Sequence, residues 1–166
     1  YYDLKISDYA RHTTNDFLCQ AIDITGTYNA PWTNCNSSTV VQLNNQNNYC
    51  ATTNNDLPSS LGARPPAWVD FNSPVWYKFK VPKSGKLKIE AINSLPDLIP
   101  PYDEPEMSIQ MAVFFLPGGY QGTCANLATE KERLLYITSG YDGLLHDEEM
   151  TVDCLMPDSI YYLLVD

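Results

Sequence analysis

Carboxylates are the side chains of this sequence with the clearest chemical potential. The 166 residues include twenty Asp and Glu but only ten Lys and Arg, so the formal charge is −10. No basic residue lies between Lys88 and Lys131 or after Arg133, and these intervals contain most of the acids. Calcium takes about six to eight oxygen ligands, many of them carboxylates. Calcium is therefore the one cofactor that the sequence suggests, and the alternative is a solvated acidic surface.

The candidate calcium ligands lie in two segments that lack basic residues. Like charges that meet in a folded protein repel each other, and a bound cation relieves this repulsion. The two segments flank strands predicted at residues 109–116 and 161–165, and a shared calcium site requires that they converge at one end of the sandwich. The predicted ligands are Asp97, Asp103, Glu104, Glu106, Asp142, Asp147, Glu148 and Asp153.

The cysteines predict disulfide bonds. They form no CxxC pair and have no His at metal-ligand spacing, which argues against zinc. Cysteines spread through a loop-rich chain fit an oxidising compartment, so we expect a secreted or cell-surface, extracellular protein. An odd number leaves one thiol free or paired elsewhere. Of the possible pairings we favour Cys124 with Cys154, and Cys19 with Cys35 or Cys50.

Catalysis has little support in the sequence. The only histidines are His12 and His146, and there is no GxSxG element. His146 precedes a run of acids, which is more typical of a solvated turn than of an acid/base pair. We therefore expect no catalytic residues and no enzyme activity. The negative charge disfavours nucleic acid as a partner. The sequence has no run of about 20 apolar residues, so we expect no direct membrane insertion.

Aromatic side chains in predicted loops offer a second kind of site. Such rings can stack on sugars or anchor a protein partner. The alternative is that loops of this length need small cores of their own. The candidate binding residues are Trp32, Trp68, Tyr102, Tyr120 and Tyr141.

Alternation of apolar and polar residues predicts strands from residue 75 onward. Residues 75–81 and 86–91 alternate on either side of a Pro-Lys-Ser-Gly turn, which predicts a β-hairpin with a lysine-lined outer face. Trp76 is out of phase, so we expect it to cover that face or to contact a neighbouring module. Asn15-Asp16 precedes either one helical turn or a short strand. Further strands are predicted at residues 109–116, 134–137 and 161–165, with an acidic turn over 140–153.

The predicted elements indicate an all-β fold, an antiparallel β-sandwich or jelly roll with long loops and disulfides. The run VWYKFKVPKSG at residues 75–85 resembles a hairpin of bacterial pre-peptidase C-terminal domains. It is equally similar to CUB-like modules of type IX secretion substrates and gliding-motility adhesins. Pieces that match the same family in the same order are residues 15–22, 109–114, 122–127 and 161–166. The resemblance implies a jelly-roll or CUB-like sandwich, export from the cell and a non-catalytic accessory role.

The expected organisation is a linker or leading edge strand at residues 1–14 and a single β-sandwich module at 15–166, cut from a larger multidomain protein. Its expected function is adhesion, or binding of a surface glycan or protein. One alternative is a structural module that spaces or stacks domains in a surface fibre, with neighbouring modules as partners. The other is an accessory domain of a secreted peptidase.

Overall fold

The structure is a computed structural model that describes residues 16–25, 57–58, 74–91, 109–141 and 148–166. Strands dominate this part of the chain, and its one α-helix has four residues. The strands are β1 (Ile22–Asp23), β2 (Val75–Lys80), β3 (Leu87–Ala91), β4 (Gln110–Phe115), β5 (Leu135–Tyr141), β6 (Glu148–Val152) and β7 (Ile160–Val165), and the helix is α1 (Leu127–Glu130).

The strands form two sheets. The larger sheet has the order β1-β2-β7-β4-β5, and the smaller one pairs β3 with β6. Strand β1 runs parallel to β2, while every other described pair is antiparallel. The prediction of a β-rich fold is thus confirmed, but the larger sheet is mixed rather than purely antiparallel.

The predicted hairpin between β2 and β3 is wrong. Strand β2 pairs with β7, whereas β3 pairs with β6 in the other sheet. The intervening turn is closed by a hydrogen bond from Gly85 N to Pro82 O at 2.9 Å, and Gly85 O accepts one from Leu155 N at 2.9 Å. The chain therefore leaves the first sheet at this turn and enters the second. Alternation shows which face of a strand is buried, but it does not determine the strand's partner.

The first hydrophobic cluster contains buried residues of both sheets. Phe79 and Tyr161 of the larger sheet share it with Leu87, Met150 and Val152 of the smaller one. Strand β6 alternates buried Met150 and Val152 with exposed neighbours, a period-2 pattern. The acidic turn predicted over residues 140–153 is therefore wrong from residue 148 onward, and β5 extends to residue 141 rather than ending at 137.

The second hydrophobic cluster lies on the opposite face of the larger sheet. Trp76 is fully buried there, with its ring centroid 5.6 Å from that of Phe114. Leu18, which is 1% exposed, covers this face from a 3-10 turn at Leu18–Gln20 that precedes β1. Strand β2 is thus buried on both faces. Trp76 is therefore a core residue, and the expectation that it covers an outer face or contacts a neighbouring module is wrong.

A disulfide joins Cys19 to Cys124, with Cα atoms 5.2 Å apart. The bond connects the Leu18–Gln20 turn to the Cys124–Asn126 turn, so the segment that covers the second cluster is tied to the connection between β4 and β5. The presence of a disulfide confirms one prediction, but the pairing of Cys124 with Cys154 is wrong. Burial of Leu18 brings its neighbour Cys19 to Cys124, while Cys154 is an exposed free thiol. The predicted pairing of Cys19 with Cys35 or Cys50 is also wrong, because Cys19 is bonded to Cys124. Cys35 and Cys50 themselves lie outside the described residues.

Candidate functional site

A surface recess of about 270 Å³ lies beside the ends of β1 and β2 and the turn that precedes β7. Its lining combines two ammonium groups, one carboxylate and one hydroxyl. The lining residues among the described part of the chain are Thr25, Lys80, Lys83 and Asp158.

Backbone hydrogen bonds fix the positions of the residues that line the recess. Lys80 N donates to Thr25 Oγ1 at 3.0 Å, which holds the end of β1 against β2. Val81 N donates to Ser159 O at 2.9 Å, and Asp158 N donates to Val81 O at 3.0 Å. Asp158 has a φ of 62°, a left-handed conformation that Asp tolerates better than most residues. The lining side chains therefore project from a backbone that these hydrogen bonds hold in position.

One carboxylate serves both lysines of the recess. Lys80 Nζ lies 3.1 Å from Asp158 Oδ1, and Lys83 Nζ lies 2.9 Å from Asp158 Oδ2. Hydrogen bonds from Lys83 and then from Lys80 hold the pKa of Asp158 below its ordinary value. Asp158 is thus ionised at neutral pH, and within the described lining two ammonium groups share this one carboxylate.

The neighbouring lysines have more carboxylates around them. Lys86 Nζ lies 3.2 Å from Asp153 Oδ1, which is a one-to-one pair. Lys88 Nζ contacts Glu90 at 2.5 Å and Glu149 at 2.9 Å, and these bonds raise the pKa of Lys88. Of the four lysines in these ion pairs, Lys80 and Lys83 are therefore the two that share a single carboxylate.

The lining groups can bind a polar or anionic molecule. An ammonium group has three N–H donors, and Asp158 accepts one bond from each lysine. The Thr25 hydroxyl accepts from the Lys80 backbone and is also hydrogen-bonded to the Asp23 carboxylate, so the lysines supply the free donors. Charge-assisted hydrogen bonds of this kind are about twice as strong as neutral ones.

Two of the predicted calcium ligands are described by the structure, and they have different surroundings. Asp153 forms an ion pair with Lys86. Glu148 is 7% exposed and packs against Gly140 of β5. The expectation that no base neutralises this acidic segment is wrong, because β6 pairs with β3 and thereby meets the β3 lysines. Within the described ranges, no three His, Cys, Asp or Glu side chains form a group that could hold a metal ion. The predicted ligands outside the described residues are Asp97, Asp103, Glu104, Glu106, Asp142 and Asp147.

Tyr120, a predicted binding residue, is half-buried against the second hydrophobic cluster. Its backbone N–H donates to Tyr162 Oη at 3.0 Å, and its hydroxyl donates to Thr123 O at 3.0 Å. Burial raises the pKa of Tyr162 despite the bond from Tyr120. These contacts agree with the alternative hypothesis for the loop aromatics, namely that they form a small core within the loop. Tyr141 ends β5 with its side chain outside the described part, and Trp32, Trp68 and Tyr102 also lie outside it.

The residues of the recess were not predicted as site residues. The sequence does indicate a local positive charge, because five of the ten basic residues fall between Lys78 and Lys88 in a chain of charge −10. The sequence does not indicate that Asp158 lies near them, since this depends on the pairing of β2 with β7.

Comparison of the chain with protein-family models, curated proteins and solved structures found no match. No helix in the described ranges has the length and apolar character needed to cross a membrane. The site is therefore assigned from its geometry.

Proposed function

We propose that this chain is a non-catalytic extracellular β-sandwich module that serves adhesion by binding a surface glycan or protein. The observation that carries the proposal is the recess of Thr25, Lys80, Lys83 and Asp158. Binding sites for small polar ligands are concave and present a few well-placed polar groups from a rigid scaffold. The recess has these properties.

The fold and the disulfide support the remaining parts of the proposal. A hydrophobic cluster shared by both sheets is what a sandwich requires. The Cys19–Cys124 bond is expected in an oxidising compartment, which supports secretion. Export by a type IX pathway rests on the sequence resemblance alone.

A second candidate function is a structural module that stacks on its neighbours. Leu135 and Ile137 are 52% and 38% exposed on β5, which is the last strand of the larger sheet among the described residues. Apolar side chains on an outer strand favour pairing with another chain. This observation supports the spacer or stacking role.

A glycan array and sedimentation velocity, both on the purified chain, separate the two candidates. The binding role predicts a monomer that recognises a subset of glycans through the recess, with binding lost when Lys80 and Lys83 are both replaced by Gln. The stacking role predicts concentration-dependent association that a Leu135→Ser, Ile137→Ser variant abolishes. Association of this kind without glycan recognition would favour the second candidate.

A further inference from the structure

We propose that the recess binds a carboxylate-bearing saccharide, with the sugar carboxylate held by Lys80 and Lys83. This inference deepens the proposed function and rests on it, because it names the ligand class of the same site.

Positive charge is only partly balanced at the recess. Five of the ten basic residues lie between Lys78 and Lys88, and Lys86 and Lys88 contact carboxylates of their own. Within the described lining of the recess, Lys80 and Lys83 share the one carboxylate of Asp158. The carboxylate of Asp23, which is hydrogen-bonded to Thr25, is attracted by Lys78. An anionic group that contacts both Lys80 and Lys83 would balance the second positive charge.

The Asp158 carboxylate allows the recess to distinguish a sugar from a simple anion. It can accept hydrogen bonds from sugar hydroxyls as well as from the two lysines. The Thr25 hydroxyl is already hydrogen-bonded to Asp23. A simple anion would use the lysines alone, whereas an acidic sugar also uses Asp158.

The size and the backbone of the recess suit a saccharide. A volume of about 270 Å³ is just below the range of about 300–1,000 Å³ typical of sites for drug-sized ligands, so it suits one or two rings of a longer saccharide. The hydrogen bonds at Lys80, Val81 and Asp158 hold the backbone of the lining in place before binding. A preformed site loses less conformational entropy when it binds a ligand.

Ligand charge is tested by titration calorimetry with tri-galacturonic acid and its methyl ester, which has the same skeleton without the charge. We expect the acid to bind about tenfold or more tightly than the ester, and its affinity to fall with added salt. Citrate serves as a simple carboxylate and should bind about tenfold more weakly than the trisaccharide. Equal binding of acid and ester, or of trisaccharide and citrate, would overturn the inference.

The site is tested with Lys83→Gln and its matched control Lys86→Gln. Both side chains lie in or next to the turn after β2, are 64% and 63% exposed and form one ion pair each. Lys83→Gln should weaken tri-galacturonate binding about tenfold, whereas Lys86→Gln should change it less than about twofold. Equal losses would indicate a general charge effect and overturn the assignment. Array binding to neutral glycans alone would refute only this inference, while recognition of no glycan would refute the glycan-binding function itself.

Discussion

Gly85 lies in the turn that leads from β2 to β3, with a φ of +65°. A Cβ atom built there would lie 2.7 Å from the carbonyl oxygen of Leu155. Gly119 has a similar φ of +70° but no atom within 4 Å of such a Cβ, so it is a matched control. We expect Gly119→Ala to lower the free energy of unfolding by about 1–2 kcal/mol through the left-handed backbone alone. Gly85→Ala should cost about 1–3 kcal/mol more, because the carbonyl must move. Urea unfolding measures both, and equal losses would show that the Leu155 contact is unimportant.

The hydroxyl group of Tyr162 is a second group that contributes to the free energy of unfolding. It accepts the backbone N–H of Tyr120, and Tyr162→Phe should lower the free energy of unfolding by about 1 kcal/mol near neutral pH. Burial raises the pKa of Tyr162 above its ordinary value of 10.0. The folded state therefore favours the neutral phenol, and this stability is present below pH 10 and is lost as the pH rises through the folded-state pKa. The loss of wild-type stability above about pH 10 should be smaller in the variant. Parallel pH profiles in urea unfolding would contradict this.

At the scale of elements, the Cys19–Cys124 bond ties the Leu18–Gln20 turn to the connection between β4 and β5. The bonded residues are 105 positions apart, and a crosslink over such a loop stabilises by about 4–5 kcal/mol through restriction of the unfolded chain. Replacing both cysteines with Ser should lower the free energy of unfolding by about this amount. Cys154→Ser, at an exposed free thiol, should change it by less than about 0.5 kcal/mol.

The same bond can be tested chemically. Peptide mapping under non-reducing conditions should recover a peptide that joins Cys19 to Cys124. A peptide that joins Cys124 to Cys154 would contradict the structure and restore the pairing favoured from sequence.

At the scale of the whole molecule, the charge of −10 keeps the calcium hypothesis open to test. A ligand that binds only the folded state stabilises it by about 2.7 kcal/mol at one hundred times its dissociation constant. We expect millimolar calcium to raise the melting temperature by several degrees and a chelator to reverse the rise. Sodium chloride of equal ionic strength should reproduce little of it. If the two salts act alike, the acids form only a solvated surface.

The sequence alone determined where the strongest strands lie. Val75, Tyr77 and Phe79 are buried as their alternation predicts, and the apolar runs at β4 and β7 are strands within one residue of expectation. Burial of one strand face is encoded locally, because successive side chains point to opposite sides. Strand β6 was missed because its charged residues resemble those of a turn.

Only the tertiary structure decided which strands pair, which cysteines bond and which charges meet. Trp76 shows the reason, since its burial requires a second layer of residues that includes Leu18, far away in sequence. Asp158 reaches Lys80 and Lys83 because β7 pairs with β2. Spacing along the chain carries no information about such contacts when about eighty residues separate the partners, since many long-range pairings satisfy the same local pattern. The acidic composition was visible in the sequence, and the positive recess within it was produced by the fold.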